Sequence, residues 1–473
     1  MRRSTSIHWH GLFQRRTGSE DGPAMVQYKP SLSILMKISI RAVPLNGQAG
    51  THWHVYSLYF DHPHLSSQYV DGLRGSVYLF FLLLIDPVDP HLSLYDVDDA
   101  STVIQLSDWY HKFAPGMTDT YLHGNHEPIP DCGTINGVGR YEGGPSVVRP
   151  RINVISGKRY RFRVINSSVY AYYTFSIESH PLTIIEVDGI NHVPRTVDGF
   201  DIHAGQRYSV ILNANKPVKN YWIRAPMELQ HDSDNDNLDP ENVYAVLHYE
   251  GASASEPTTK AKGSVDNLLK EHELVPLENP GAPGGNSPAS RTIDLSFTRS
   301  TVNGELQWTV NGIKYHPPTV PTLLNIIANG FTSENDFATS EHTYVINKND
   351  IVDLVIHGSA NGKWVTILCN SPFHLHGHVF DIIQGQSGPP NYINPPRRDV
   401  VGVKGSTVII RFKADNPGPW FLHCHIDWHL EAGLAVVFAE APSAQVSGPD
   451  AQIIKQEWLD LCPIYNALPA ALQ

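Results

Sequence analysis

The stretch His423-Cys424-His425-Ile426-Asp427-Trp428-His429, with Leu434 five residues beyond it, gathers one thiol and three imidazoles in seven positions. A soft sulfur donor flanked by nitrogen donors is a ligand set that copper selects. Along an extended strand side chains alternate faces, so His423 and His425 point one way and Cys424 the other. Such a strand can serve two metal centres on its opposite faces, joined through a few covalent bonds that form a short path for electrons.

The i, i+2 histidine spacing recurs in His8-Trp9-His10, His62-Pro63-His64 and His374-Leu375-His376, the last continuing to His378. Histidine is abundant, 25 in 473 residues, so one pair alone says little. Four pairs say more. Eight imidazoles from four strands, with one Cys-His site, match the donor count of a three-copper cluster beside a mononuclear copper.

Strands are the elements that must hold these donors. Gly 36 and Pro 35 with 41% hydrophobic residues suit a turn-rich β protein. Runs such as Tyr208-Ser209-Val210-Ile211-Leu212 and Thr407-Val408-Ile409-Ile410-Arg411-Phe412 recur between turn signals, and the expected fold is all-β, built of stacked β-sandwiches. The length implies two to four domains, because single cores stop growing beyond about 250–300 residues. A Ser/Pro/Gly-rich stretch from 252 to 290 reads as a linker, and Asp86-Pro87-Val88-Asp89-Pro90 as an earlier boundary. The expected organisation is therefore 1–90, 91–251, linker 252–290 and 291–473. A formal net charge of -12 disfavours nucleic acid and anionic membranes as partners.

Four longer motifs resemble one family, the multicopper oxidases, and within it the fungal laccases: Thr5-Ser6-Ile7-His8-Trp9-His10-Gly11, His64-Leu65-Ser66-Ser67-Gln68-Tyr69 running into Asp71-Gly72-Leu73-Arg74-Gly75, Pro372-Phe373-His374-Leu375-His376-Gly377-His378, and Asn416-Pro417-Gly418-Pro419-Trp420-Phe421-Leu422-His423-Cys424-His425. The resemblance implies three cupredoxin-like Greek-key domains, the first truncated at its N-terminus, with four copper ions. It assigns His8 and His374 to a type 2 copper and His10, His62, His64, His376, His423 and His425 to a type 3 pair. Cys424 and His429 would hold the type 1 copper, with Leu434 at the axial position. Asp21 and Asp427 match acidic residues that relay protons in the family, although a turn former at Asp21 and a structural acceptor at Asp427 explain them equally well. The implied reaction takes single electrons from small phenolic or aromatic donors and reduces O2 to water, in a secreted monomer that breaks down lignin or phenols.

The chain also departs from the family. It opens a few residues before His8 with no signal peptide, which reads as a truncated gene model. Residues 54–61 replace a single family residue and create a competing pair, His52 and His54. The apolar run Val77 to Ile85 is too short to span a membrane, which takes about 20 residues. Ser371 stands where the family has the second imidazole of the type 1 copper, after a foreign stretch from Lys363 to Asn370. These stretches read as intron-derived codons. Of Cys132, Cys369, Cys424 and Cys462, one is the proposed ligand, which leaves an odd number. By resemblance Cys462 would pair with position 29, here Lys29, and a second disulfide would join positions that are Val70 and Val169. The carboxylate with which some laccases orient a phenol falls at Tyr170. His378, His357, His111 and His123 read as hydrogen-bonded or solvated, and Asn166-Ser167-Ser168 is a glycosylation sequon. Two alternatives to a laccase are a non-catalytic copper-binding homologue and a ferroxidase, the latter needing acidic residues beside His429.

Overall fold

The computed structural model describes residues 8–23, 25–26, 53–57, 70–71, 75–78, 89–229, 235–260, 265–358 and 370–467. His62, His64, Cys369 and most of the three foreign stretches lie outside these residues. Among the described residues the chain forms five sheets. His8–Trp9, Trp53–Ser57 and Gly75–Tyr78 make a three-stranded sheet in which His8 lies opposite Ser57.

Two sheets follow in the middle of the chain. One has the order Ile190–Val197, Leu182–Val187, Arg207–Asn213, Arg159–Asn166, Val103–Trp109, Cys132–Ile135; the other runs Gly199–Ile202, Tyr172–Ile177, Asn220–Arg224, Tyr244–Tyr249, Arg151–Val154. Their apolar faces meet. Phe162, Val164 and Val210 of the first share one buried cluster with Phe175, Ile223 and Leu247 of the second. Arg151–Val154 and Tyr172–Ile177 alternate buried and more exposed residues, the pattern of strands with one face in a core and one toward water.

The C-terminal sheets have the orders Glu305–Val310, Arg291–Val302, Ile351–His357, Thr407–Lys413, Phe380–Gln384, Arg397–Arg398 and Thr343–Ile346, Ala435–Glu440, Gly418–Cys424, Ser371–Leu375, Val400–Val403. In the second, every residue of the three central strands Ala435–Glu440, Gly418–Cys424 and Ser371–Leu375 is buried. One face of Gly418–Cys424 sends Leu422 and Cys424 into the main core. The other sends His423 toward the N-terminal segment. Burial on both faces explains why this strand reads as a continuous apolar run rather than an alternating one.

The segment 252–290 has little regular structure but is not loose. Glu271 accepts from Arg398 at 2.7 Å, and Arg411 Nη1 donates to the carbonyls of Pro283, Gly285 and Ser287. Val70 and Val169, at the expected disulfide positions, sit together in the main core cluster as ordinary apolar side chains. Cys132 is a buried free thiol. Asn166 is buried and its amide donates to the carbonyls of Ala171 and Ile202 at 3.0 and 2.9 Å, so this sequon presents no acceptor in the folded chain.

Candidate metal centre

Strand register places the first pair of donors. His374 and His423 lie directly opposite each other in antiparallel strands, so their side chains share a face. The pairing continues past the strand ends, with the His376 amide donating to the Phe421 carbonyl at 2.9 Å and the His425 amide to that of Pro372 at 2.6 Å. The N-terminal segment then closes over this face. His8 stacks on His376 and His10 on His374, each with ring centroids 3.8 Å apart. The donor atoms of His8, His10 and His374 lie within 4.8 Å of one another. A nest of six imidazoles results, all buried.

Hydrogen bonds orient the rings of His8, His10, His374, His376 and His423. His8 Nδ1 donates to the Asp21 carbonyl at 2.8 Å, His376 Nδ1 to Asp21 Oδ2 at 2.8 Å, His374 Nδ1 to the Asp399 carbonyl at 2.9 Å and His423 Nδ1 to the Cys424 carbonyl at 2.9 Å. With Nδ1 committed, Nε2 is the atom turned inward, and His376 Nε2 lies 3.2 Å from His423 Nε2. His10 is reversed: its Nε2 meets Asp399 Oδ1 at 3.4 Å, which turns Nδ1 inward. Asp399 in turn is gripped by Arg207 from the middle part of the chain.

Burial, reinforced by neighbouring imidazoles, holds His10, His374, His376 and His423 well below the ordinary 6.5, and burial holds His425 near 4. These rings are therefore neutral at pH 7, the form that binds metal. His374 Nε2, although buried, has no hydrogen-bond partner among the described residues. Several inward-facing neutral nitrogens in a buried pocket fit copper.

Gly205, from the loop before Arg207–Asn213, lies against the nest. Its φ is +82°, and a Cβ there would fall 2.5 Å from His425 Cδ2 and 3.1 Å from His10 Cε1. Only glycine suits that position.

On the opposite face of the strand, Cys424 Sγ lies 3.4 Å from His429 Nδ1 and also accepts the Ile426 amide at 3.5 Å. His429 belongs to the short helix Asp427–Glu431, and Leu434 is fully buried next to this turn, its carbonyl accepting the Cys424 amide at 3.2 Å. Because Phe373 pairs with Cys424, Ser371, two residues before Phe373, lies on the same face. It is fully buried and its hydroxyl has no hydrogen-bond partner among the described residues. The thiolate and imidazole fit a mononuclear copper; Ser371 departs from the two-imidazole, one-thiolate plane of blue-copper sites.

Asp21 is buried beside His8 and His376, and burial raises it above the usual carboxylate range. Asp427 opens the His429 helix and its amide donates to the Val169 carbonyl at 3.0 Å. His378 pairs with Glu440 at 2.9 Å and His357 with Asp294 at 2.9 Å, as hydrogen-bonded histidines outside the nest. Tyr170 is buried in the main core. The carboxylate beside His429 is instead Glu127, whose Oε1 lies 2.9 Å from His429 Nε2. Nothing in its neighbours Asn125-His126-Glu127-Pro128 marked it in the sequence, because only the path of the preceding helix brings it there.

The family pattern described as multicopper oxidase matches residues 1–80, 100–252 and 315–444. The chain belongs to the multicopper oxidase family. Among the relatives of this multicopper oxidase, Laccase-4 of Thanatephorus cucumeris is 53% identical over 94% of the chain and 81% of its own length. Laccase-2 of Agaricus bisporus is 44% identical over 100% of the chain and 86% of its own. Among solved structures, the laccase from Botrytis aclada superposes with a TM-score of 0.77 at 28% identity, covering 98% of this chain and 83% of that one. Fet3p, a multicopper oxidase that functions in iron import, superposes with 0.79 at 27% identity, covering 97% and 84%. The protein is a laccase-type oxidoreductase and binds copper.

Proposed function

We propose that this laccase-type oxidase holds four copper ions. His8 and His374 would hold one, His10, His62, His64, His376, His423 and His425 a pair, and Cys424 and His429, with Ser371 and Leu434 alongside, the fourth. When bound, copper supplies one-electron chemistry that couples oxidation of four phenolic or aromatic donors, each losing one electron and one proton, to reduction of one O2 to two waters.

The observation that supports this most is the strand Gly418–Cys424. His423 faces the imidazole nest and Cys424 faces His429, one peptide unit apart. The Cys424 carbonyl accepts from His423 Nδ1 at 2.9 Å, which adds a hydrogen-bonded route beside the covalent one. Asp21 holds the His376 ring in place and, as a buried carboxyl above the usual range, suits proton hand-over inside the nest. Asp427, at the start of the His429 helix, is the second proton-relay candidate. The burial of the six rings keeps bulk water from them.

The same reading comprises three cupredoxin-like units at 1–90, 91–251 and 291–473 joined by 252–290, in a secreted monomer acting on lignin-derived or other phenols. No helix of the described residues is long and apolar enough to cross a membrane. The test is to load the metal-free protein with copper, count bound metal and follow O2 uptake with 2,6-dimethoxyphenol. Four coppers per chain and one O2 per four phenols are expected; bound copper without O2 uptake would refute the reading.

A further inference from the structure

Among the described residues of the N-terminal segment that carries His8, His10 and Asp21, only His8–Trp9 joins a sheet. A pairing that short leaves the rest of the segment to be placed by other contacts. Asn416 supplies two of them. Its side-chain amide donates to the Phe13 carbonyl at 2.6 Å and to the Gly377 carbonyl at 2.8 Å. Phe13 lies just beyond His10, Gly377 follows His376, and Asn416 itself leads into the strand of His423. One carboxamide therefore ties together the three segments that carry the six buried rings of the nest.

The amide is held in one place because both backbone groups of Asn416 are bonded. Its N–H donates to Glu440 Oε1 at 2.5 Å and its carbonyl accepts Trp420 Nε1 at 2.6 Å. The Trp420 ring in turn packs on the Gly377 turn, where φ is +69° and a Cβ would fall 2.4 Å from Trp420 Cδ2. Asn416 is buried, so bulk water does not replace what its amide gives the two carbonyls. Gln452 repeats the device one layer out. Its Oε1 accepts the Gly18 amide at 2.8 Å and its Nε2 donates to the Pro417 carbonyl, joining the stretch before Asp21 to the residue after Asn416. The Ile453 amide adds a bond to the Arg16 carbonyl at 2.8 Å. Asp21 orients His8 and His376, so the placement of Gly18 reaches the rings through it.

We propose that Asn416 is a positioning residue for the copper nest, with Gln452 as its outer support: the carboxamide sets the spacing between the His8/His10 pair and the two C-terminal pairs, and with it the affinity for copper. It acts through Phe13 and Gly377, not as a donor to metal, since both of its side-chain N–H bonds go to carbonyls. Groups that orient ligands from behind govern metal affinity because a displaced ring no longer aims its lone pair at the ion. The proposal rests on the reading that these six rings hold copper.

The test compares four variants with the parent. Asn416→Leu keeps the volume and removes both donors, Gln452→Leu cuts the outer support, and Val210→Ala opens a cavity in the core of the middle sheets without touching the nest. His8→Ala removes one ring. The metal-free proteins are titrated with copper against a competing chelator, under conditions where urea curves show each to be folded. Asn416→Leu is expected to bind copper at least about tenfold more weakly and Gln452→Leu to weaken it in the same direction, while Val210→Ala, though less stable, keeps the parent affinity. Parent affinity in Asn416→Leu, or an equal loss in Val210→Ala, would overturn the assignment and leave the amide a general support of the fold. Should Asn416→Leu fail to fold, Gln452→Leu decides, and parent affinity there overturns the assignment equally. If instead His8→Ala binds copper as the parent does, the rings are not the metal site, and the role of Asn416 falls with that reading.

Discussion

Arg207 and Asp399 meet as a two-pronged pair beneath the imidazole nest, Nη1 to Oδ1 at 2.6 Å and Nη2 to Oδ2 at 2.8 Å. Asp399 also touches His10 and, through its carbonyl, His374, so the middle of the chain steadies rings contributed by both ends. Burial alone would lower the Arg207 guanidinium, but Asp399 and Asp188 outweigh it and raise it. Arg207→Met should strand a buried carboxylate and cost about 3–5 kcal/mol of stability, with loss of bound copper. Urea unfolding of the metal-free chain beside copper counting checks this; unchanged midpoints would refute it.

Gly205→Ala should act through the nest rather than the core. The new methyl would sit against His425 and His10 on a backbone that L residues disfavour. A loss of about 1–3 kcal/mol and of one or more coppers per chain is expected. Full copper content in this variant would show that the loop yields.

Ser371→His should restore an imidazole on the Cys424 face. Because Ser371 is fully buried, the larger ring costs about 1–3 kcal/mol in the metal-free protein. Copper-loaded variant should gain intensity in the blue thiolate absorption and turn over phenols at least about tenfold faster. If absorption and rate stay as in the parent, Ser371 does not border the mononuclear site.

His192, away from the nest, sets an acid limit. It is fully buried, its Nδ1 donates to the Ile190 carbonyl at 2.9 Å, and burial lowers it to about 4. Between that value and the unfolded 6.5, the unfolded chain binds a proton that the folded one does not. Stability therefore falls as pH drops through this window and levels off below it. His192→Gln should remove roughly 2 kcal/mol of the loss between pH 7 and pH 5, read from urea midpoints at the two pH values. An unaltered pH dependence would exclude His192 as a cause.

Much of the site was legible because its spacing is a property of strands. The alternation that separates Cys424 from His423 follows from extended backbone alone, and the register of His374 against His423 agrees with it. The β architecture likewise followed from turn-bounded apolar runs such as Tyr208 to Leu212, now the centre of Arg207–Asn213. What could not be read is what depends on long-range placement. Glu127, Arg207 and Asp399 lie in stretches without ligand spacing, and only tertiary packing brings them to the rings. Asn166 shows the opposite failure: a glycosylation sequon by sequence, it has its amide held by two backbone carbonyls in the core.

The nest draws its parts from both ends of the polypeptide. Asp21 and His376 are 355 residues apart in sequence, and His10 and Asp399 are 389 apart. A ribosome-bound chain therefore carries only the His8, His10 and Asp21 part of it for most of synthesis, and the nest cannot close until the stretch from His374 to His425 has been made. Prematurely terminated chains that stop short of His423 lack the thiolate as well as the last two imidazoles, so they fail as silent products rather than as oxidases that take up O2 and release it half reduced.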